Sequence, residues 1–244
     1  MLKPTSSEAL LYFYNKLSKG SIFMQDEILS AQLARMNIYA LVSRILMNEV
    51  DEELLELILN DENILSFFPN LQTWDKRQEM STKDLIEQYL NVDFTNLFLL
   101  HLVPYESFYM REDQMMETGG ENPVQQLYNE FDFRVELDRA RVMAGDHIGV
   151  ELEFMFKLCE AEYKALQDGA YDVAADIAKI EYEFLKDHLV EWAPLFLLNV
   201  KSEAGTALYF DAADLALEFI LSDFEYLNQR KESDFKHLAP QESK

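Results

Sequence analysis

The sequence predicts an all-α protein, and three observations carry that prediction. Among 244 residues there are only 7 glycines and 6 prolines, too few to turn a many-stranded β protein. The helix formers Leu, Glu, Ala, Met and Lys dominate the remainder. Apolar residues also recur at helical spacing, as in Ile38, Leu41, Val42, Ile45 and Leu46, and again in Ile148, Leu152, Met155, Cys159, Tyr163 and Leu166. With 49% apolar and 13% aromatic residues, the chain can bury the core of a single large domain.

Taken in order, residues 1–25 read as a polar N-terminal segment and residues 26–48 as the first helix. Asp51 suits the N-cap of a short second helix. The stretch SFFPNLQTWDKRQEMS (66–81) reads as an irregular connection. Ser81 with Asp84 three residues later opens a helix running to about residue 93. The densely apolar DFTNLFLLHLVPYESFY (93–109) must bend near Val103, because Pro104 disfavours helix at the residue before it. MREDQMMETGGENP (110–123) is the best loop candidate, and Asn122 as N-cap with Pro123 at the first helical position closes it. Asp146 suits the N-cap of a long helix ending at Gly169. There the 4, 3, 4, 4, 3 spacing overrides the strand-like alternation of VELEF. A further helix covers 172–189, Pro194 interrupts, and a last helix covers 203–227. The domain therefore spans 26–227, with a polar mobile tail over 228–244.

The formal net charge of −24 repels phosphate backbones and anionic lipid, so neither nucleic acid nor a membrane surface is expected as partner. It favours a cationic partner and speeds encounter with one. The single Cys159 excludes a disulfide framework and a cysteine-cluster zinc site, and its place on an apolar stripe makes it a core thiol. The longest apolar stretches, 97–105 and 192–200, fall short of the roughly 18 residues of a membrane span. No secretory signal is visible: the apolar run at 10–14 is short and Glu8 precedes it. A cytoplasmic protein is expected.

Catalytic constellations are missing. The residues three positions before His101, His147, His188 and His237 are Phe98, Ala144, Leu185 and Asp234, so the Glu-x-x-His step of carboxylate-bridged metal sites is absent. There is no His-Glu-x-x-His, phosphate loop or Gly-x-Gly-x-x-Gly. His147 and Glu151 share a helical face, but two ligands make a poor metal site. No catalytic residue, metal or cofactor is assigned. Gly149 in the first turn of the long helix costs about 1 kcal/mol against alanine. Glycine there signals close approach by a neighbouring helix or a ligand.

Three segments then resemble one family. DFTNLF…VPYESFY, GDHIGVELEFM and FLKDHLVEWAPLF…ALYFDAADLALEFI stand in this order over about residues 30–227. Together they are similar to the TorD/DmsD/NarJ family of redox-enzyme maturation chaperones, closer to its TorD and DmsD members. The resemblance implies a single helical domain of about nine to eleven helices in a bundle-like arrangement, with no catalysis. It implies binding of the twin-arginine signal peptide of a molybdoenzyme precursor, of the TMAO or DMSO reductase type. That binding would assist cofactor insertion and delay export, with self-association into a homodimer left open. Carried over by position, the peptide-binding surface falls on Phe94, Leu97, Phe98, Pro104, Tyr105, Asp146 and His147. Glu151, on the face of His147, joins them as a source of charge, as Glu106 could. Many members carry Glu-Pro-x-Asp-His, whereas this chain has Met143, Ala144 and Gly145 ahead of Asp146 and His147. The helix dipole biases His147 toward the neutral form, as an orienting hydrogen-bonder. Trp192 and Pro194 are assigned to packing between helices. The competing readings are a metal- or nucleotide-dependent helical enzyme and a general interaction adaptor.

Overall fold

Short polar side chains start several helices, as the sequence suggested. The Asp51 carboxylate accepts the Leu54 N–H (2.9 Å), Asp61 accepts Asn63 and Ile64 (2.8 and 3.1 Å), and the Ser81 hydroxyl accepts Asp84 (3.2 Å). The computed structural model describes residues 21–119, 122–135, 137 and 141–230, so most of the N-terminal segment and of the tail lies outside the described residues. Among the described residues the helices are α1 (Ser21–Met47), α2 (Glu52–Asn60), α3 (Glu62–Leu65), α4 (Pro69–Thr73), α5 (Asp75–Glu79), α6 (82–101), α7 (Glu106–Met110), α8 (Gln125–Glu130), α9 (Ile148–Gln167), α10 (171–203) and α11 (Ala207–Gln229). The only β pairing among them is an isolated bridge between Tyr105 and His147. The fold is all-α, as expected.

Several boundaries differ from the sequence reading, each for a physical reason. The connection at 66–81 holds α4 and α5; α4 begins with Pro69, whose fixed φ suits a first helical turn. Helix α6 does not stop at residue 93 but runs to His101 through two π-helical turns, Ile86–Leu90 and Thr95–His101. The chain then bends through Leu102–Pro104, ahead of α7. Pro194 does not break the chain either: it lies inside α10, in the α-helical stretch Val190–Glu203. The π turn Leu185–Leu189 directly ahead of that stretch loosens the hydrogen-bond ladder, where a proline imposes its shift at less cost. Asn122 is not the N-cap, because α8 begins only after Val124; the Asn122 Oδ1 accepts the Val124 N–H (3.4 Å) and its NH2 donates to Asp146. Helix α9 ends as its Gly169 foretold: φ is +72° there, and the Gly169 and Ala170 N–H groups return to Leu166 and Ala165 O (3.2 and 2.8 Å).

The core forms where α1 packs along α9, and where α10 and α11 pair and close over them. Gly149 sets the α1–α9 distance. A Cβ there would lie 2.5 Å from Met47 Cβ, and the Ser43 hydroxyl donates to Gly149 O (2.7 Å). The close approach signalled by this glycine is therefore a neighbouring helix. Two buried aspartates dock short segments onto the N-terminal end of α11. Asp93 accepts from Gly205 N, Thr206 N and Thr206 Oγ1, and Asp211 accepts from Asn70 Nδ2 and Leu71 N.

A charged knot lies at the centre of the four long helices. Arg35 of α1 forks onto Asp223 of α11 (2.6 and 2.9 Å), and reaches Glu181 of α10 (2.6 Å) and Glu162 of α9 (3.3 Å). Arg230 adds a second cation on Glu162. Burial, with Glu162 and Asp223 close by, pushes the Glu181 carboxyl up to about 8 against the pull of Arg35. Cys159, beside the knot, is a buried free thiol, and its pKa is raised by the same burial.

Candidate functional site

The two motif segments that carried the resemblance are stitched together by the backbone. Glu106 N–H donates to Asp146 O (3.0 Å) and Ile148 N–H to Pro104 O (2.9 Å), which pairs VPYES with GDHIG antiparallel. Asp146 tightens this seam. Its carboxylate accepts the Ser107 N–H (2.8 Å) and the Asn122 amide (2.7 Å), so it ties α7 and the loop before α8 to the start of α9. The N-cap of α9 is therefore His147 and not Asp146: imidazole Nδ1 accepts the Gly149 N–H (3.0 Å). Asp146 is occupied by two donors from other segments, the Ser107 N–H and the Asn122 amide, which also donates to Glu117 O (2.8 Å). Burial lowers the His147 pKa to about 3, which keeps the ring neutral and fit to accept. Tyr105 packs edge-on against that ring, 5.1 Å between centroids, and its hydroxyl accepts the Met143 N–H.

Behind the seam lies a pair of carboxyls. Glu151 of α9 is fully buried, and its Oε2 accepts the indole N–H of Trp192 (3.2 Å) while Oε1 has no partner. Burial, and then the neighbouring charge of Glu106, raise its pKa well above the carboxylate range. Both Glu106 oxygens lie 3.0 Å from a single donor position, Nδ1 of His188 in the π turn of α10. Trp192 is thus more than the packing residue it was read as.

The eight residues singled out from the sequence fall into two groups below the surface, Phe94, Leu97 and Phe98 on α6 and the other five at and behind the seam. Phe94, Leu97, Phe98, Pro104, Tyr105, Asp146, His147 and Glu151 are all buried. Phe94 and Phe98 among them pack with Phe196 and Tyr209 of the two last helices. Their exposed neighbours were missed. Leu99 and Leu100 of α6 are 62% and 68% exposed, and Leu195 and Leu198 of α10 are 58% and 52% exposed. The two helices touch at Phe98 with Phe196 (6.3 Å between rings) and at His101 with Glu203 (3.3 Å), so the four leucines stand at and between these two contacts. Acidic side chains of α10, Asp187, Glu191 and Glu203, are exposed on the same helix. A leucine pair after FTNLF is visible in the sequence, but its outward turn depends on the π register of Thr95–His101. Among the described residues no group of three or more His, Cys, Asp or Glu is placed to hold a metal ion. No described helix is long and apolar enough to cross a membrane.

Comparison with known proteins gives one family. The family model described as nitrate reductase delta subunit matches residues 62–197. The chaperone protein TorD of Salmonella bongori is 27% identical over 207 residues, 79% of this chain and 90% of that protein. The TorD chaperone of Vibrio parahaemolyticus is 24% identical over 217 residues, 83% of this chain and 98% of its own length. A perchlorate reductase assembly chaperone of Dechloromonas aromatica is 33% identical over 84 residues, 33% of this chain and 35% of its own. No solved structure matches the chain.

Proposed function

Because this chain belongs to the nitrate reductase delta subunit family, whose TorD relatives are chaperones, we propose that it is a cytoplasmic chaperone of a molybdoenzyme precursor. It recognises the twin-arginine signal peptide, and it holds the precursor back from export while the molybdenum cofactor is inserted. The role is one of binding, not catalysis.

One observation carries this reading: the exposed leucines of α6 and α10, set in a strongly acidic protein. A twin-arginine signal peptide has a basic front and an apolar middle. The four leucines offer the apolar middle exposed apolar side chains to cover, and exposed apolar surface marks interaction sites. Asp187, Glu191 and Glu203, with the net charge of −24, attract the basic front. The buried motif residues act as the frame. The Pro104–Ile148 seam fixes α7 against α9, and the rings of Phe94 and Phe98 fix α6 against α10 and α11.

Co-expression with a molybdoenzyme precursor of the TMAO or DMSO reductase type tests the proposal. The chain is expected to co-purify with the precursor carrying its own signal peptide and not with one whose two arginines are alanine. Equal recovery of both, or of neither, would refute it.

A further inference from the structure

Among the described residues most buried carboxylates stand against cations or N–H and hydroxyl donors. Glu162, Glu181 and Asp223 share Arg35 and Arg230, while Asp93, Asp146 and Asp211 are filled by N–H and hydroxyl donors. Among the described residues the carboxyls of the Glu106–Glu151 pair have neither an arginine or lysine nor a backbone N–H on them. Its one titratable partner outside the pair is His188, which offers a single Nδ1 to both Glu106 oxygens. A carboxylate has about four lone-pair sites, so one shared donor leaves most of that capacity unused. Glu151 Oε1, fully buried, has no partner at all. The His188 side chain, 17% exposed, lies against Glu106, and it stands one turn before Glu191 and two turns before Leu195 of the proposed peptide surface.

We propose that Glu106, backed by Glu151, is a subsite for one arginine side chain of the bound peptide, and that the guanidinium enters by displacing the His188 ring. A guanidinium presents two parallel N–H donors to the two oxygens of one carboxylate, which matches what Glu106 leaves open and a single imidazole nitrogen cannot supply. The groups facing the subsite are Glu106 on α7, Asp146 before α9, Glu151 on α9, Tyr128 on α8, and His188 and Trp192 on α10. None is a permanent cation, so nothing repels the incoming charge. For its ligand the inference rests on the signal-peptide reading, but the subsite can be probed without a peptide.

The test uses the full chain labelled with nitrogen-15, with Trp74→Phe leaving Trp192 as the one indole. Methylguanidinium chloride should shift the Trp192 indole N–H signal saturably in wild type, and Glu106→Gln should abolish the response, whereas methylammonium chloride should give a weaker one. The same substitution should weaken binding of a twin-arginine peptide by about tenfold or more, the loss of a charge-assisted pair. His188→Ala, which leaves Glu106 in place, should tighten methylguanidinium binding severalfold, and it keeps the test decisive if Glu106→Gln does not fold. An unmoved Trp192 signal in wild type overturns the inference. So does unchanged peptide affinity in Glu106→Gln, or unchanged or weaker binding of methylguanidinium in His188→Ala. If wild type binds methylguanidinium through Glu106 but no peptide, the signal-peptide reading fails and the subsite stands.

Discussion

Gly149→Ala isolates the contact on which the pairing of α1 with α9 depends. The added Cβ would meet Met47 Cβ at 2.5 Å, Met47 Cα at 3.0 Å and Met47 Cγ at 3.0 Å. Carbon atoms in good contact stand about 3.5–4.0 Å apart, so the helices must part by roughly 1 Å. The obstacle includes main chain, which no rotamer change moves aside, so the cost lies toward the upper end of the about 1–3 kcal/mol typical of overpacking. Parting the helices also weakens the Ser43 hydroxyl bond to Gly149 O, about 1 kcal/mol. Alanine returns about 1 kcal/mol through its helix propensity. The net expectation is a loss of about 2–3 kcal/mol, or about 4–12 °C in Tm for a chain of this size. Urea titration followed by circular dichroism measures the first and a thermal scan the second. Unchanged or increased stability would refute the close α1–α9 contact. Weakened peptide binding at unchanged stability would instead mean that the glycine leaves room for a ligand.

Further substitutions probe the seam, the charged knot and the surface. Asp146→Ala strands the Ser107 and Asn122 donors and should cost about 3 kcal/mol in urea unfolding. His147→Ala removes only an N-cap and should cost about 0.5–2 kcal/mol; the reverse order would contradict the cap assignment. Arg35→Met leaves three buried carboxyls around the gap and should cost about 3–5 kcal/mol or prevent folding, so a stable variant would count against the knot. Glu181, raised in the folded state to about 8, binds a proton there that the unfolded chain releases above its ordinary value near 4.5. Its contribution to stability is therefore complete at low pH and is lost as pH climbs from about 4.5 through about 8. Glu181→Gln should flatten that decline, and identical pH profiles for variant and wild type would contradict it. Leu99→Glu with Leu198→Glu should leave the helical signal intact and weaken twin-arginine peptide binding about tenfold or more; unchanged affinity would move the surface elsewhere.

The sequence disclosed what is local or strongly periodic. The stripe of α9 showed because it runs over twenty residues, and the caps at Asp51 and Ser81 showed because a cap bonds within three residues. Gly149 was legible as an anomaly of propensity, and the choice between helix and ligand as its cause needed Met47, a hundred positions away. Asp146 looked like a cap because its partners, at 107 and 122, are invisible to local rules. The π turns carry no composition signal, so neither the continuity of α6 and α10 nor the outward turn of Leu99 and Leu100 could be read. Phe94 and Phe98 lie next to one another, whereas Tyr105 packs on His147. The same apolar character that suggested a peptide wall is what buries them. Glu106 was noted only as a spare charge, and its neighbour His188, eighty-two positions away, only as a failed metal ligand.

The most direct measurement is a calorimetric titration of the protein with a synthetic twin-arginine signal peptide at low and high salt. The account predicts saturable binding at low salt, weaker at high salt and lost when both arginines are alanine. No binding at low salt, or equal affinity for the arginine and alanine peptides, would contradict it.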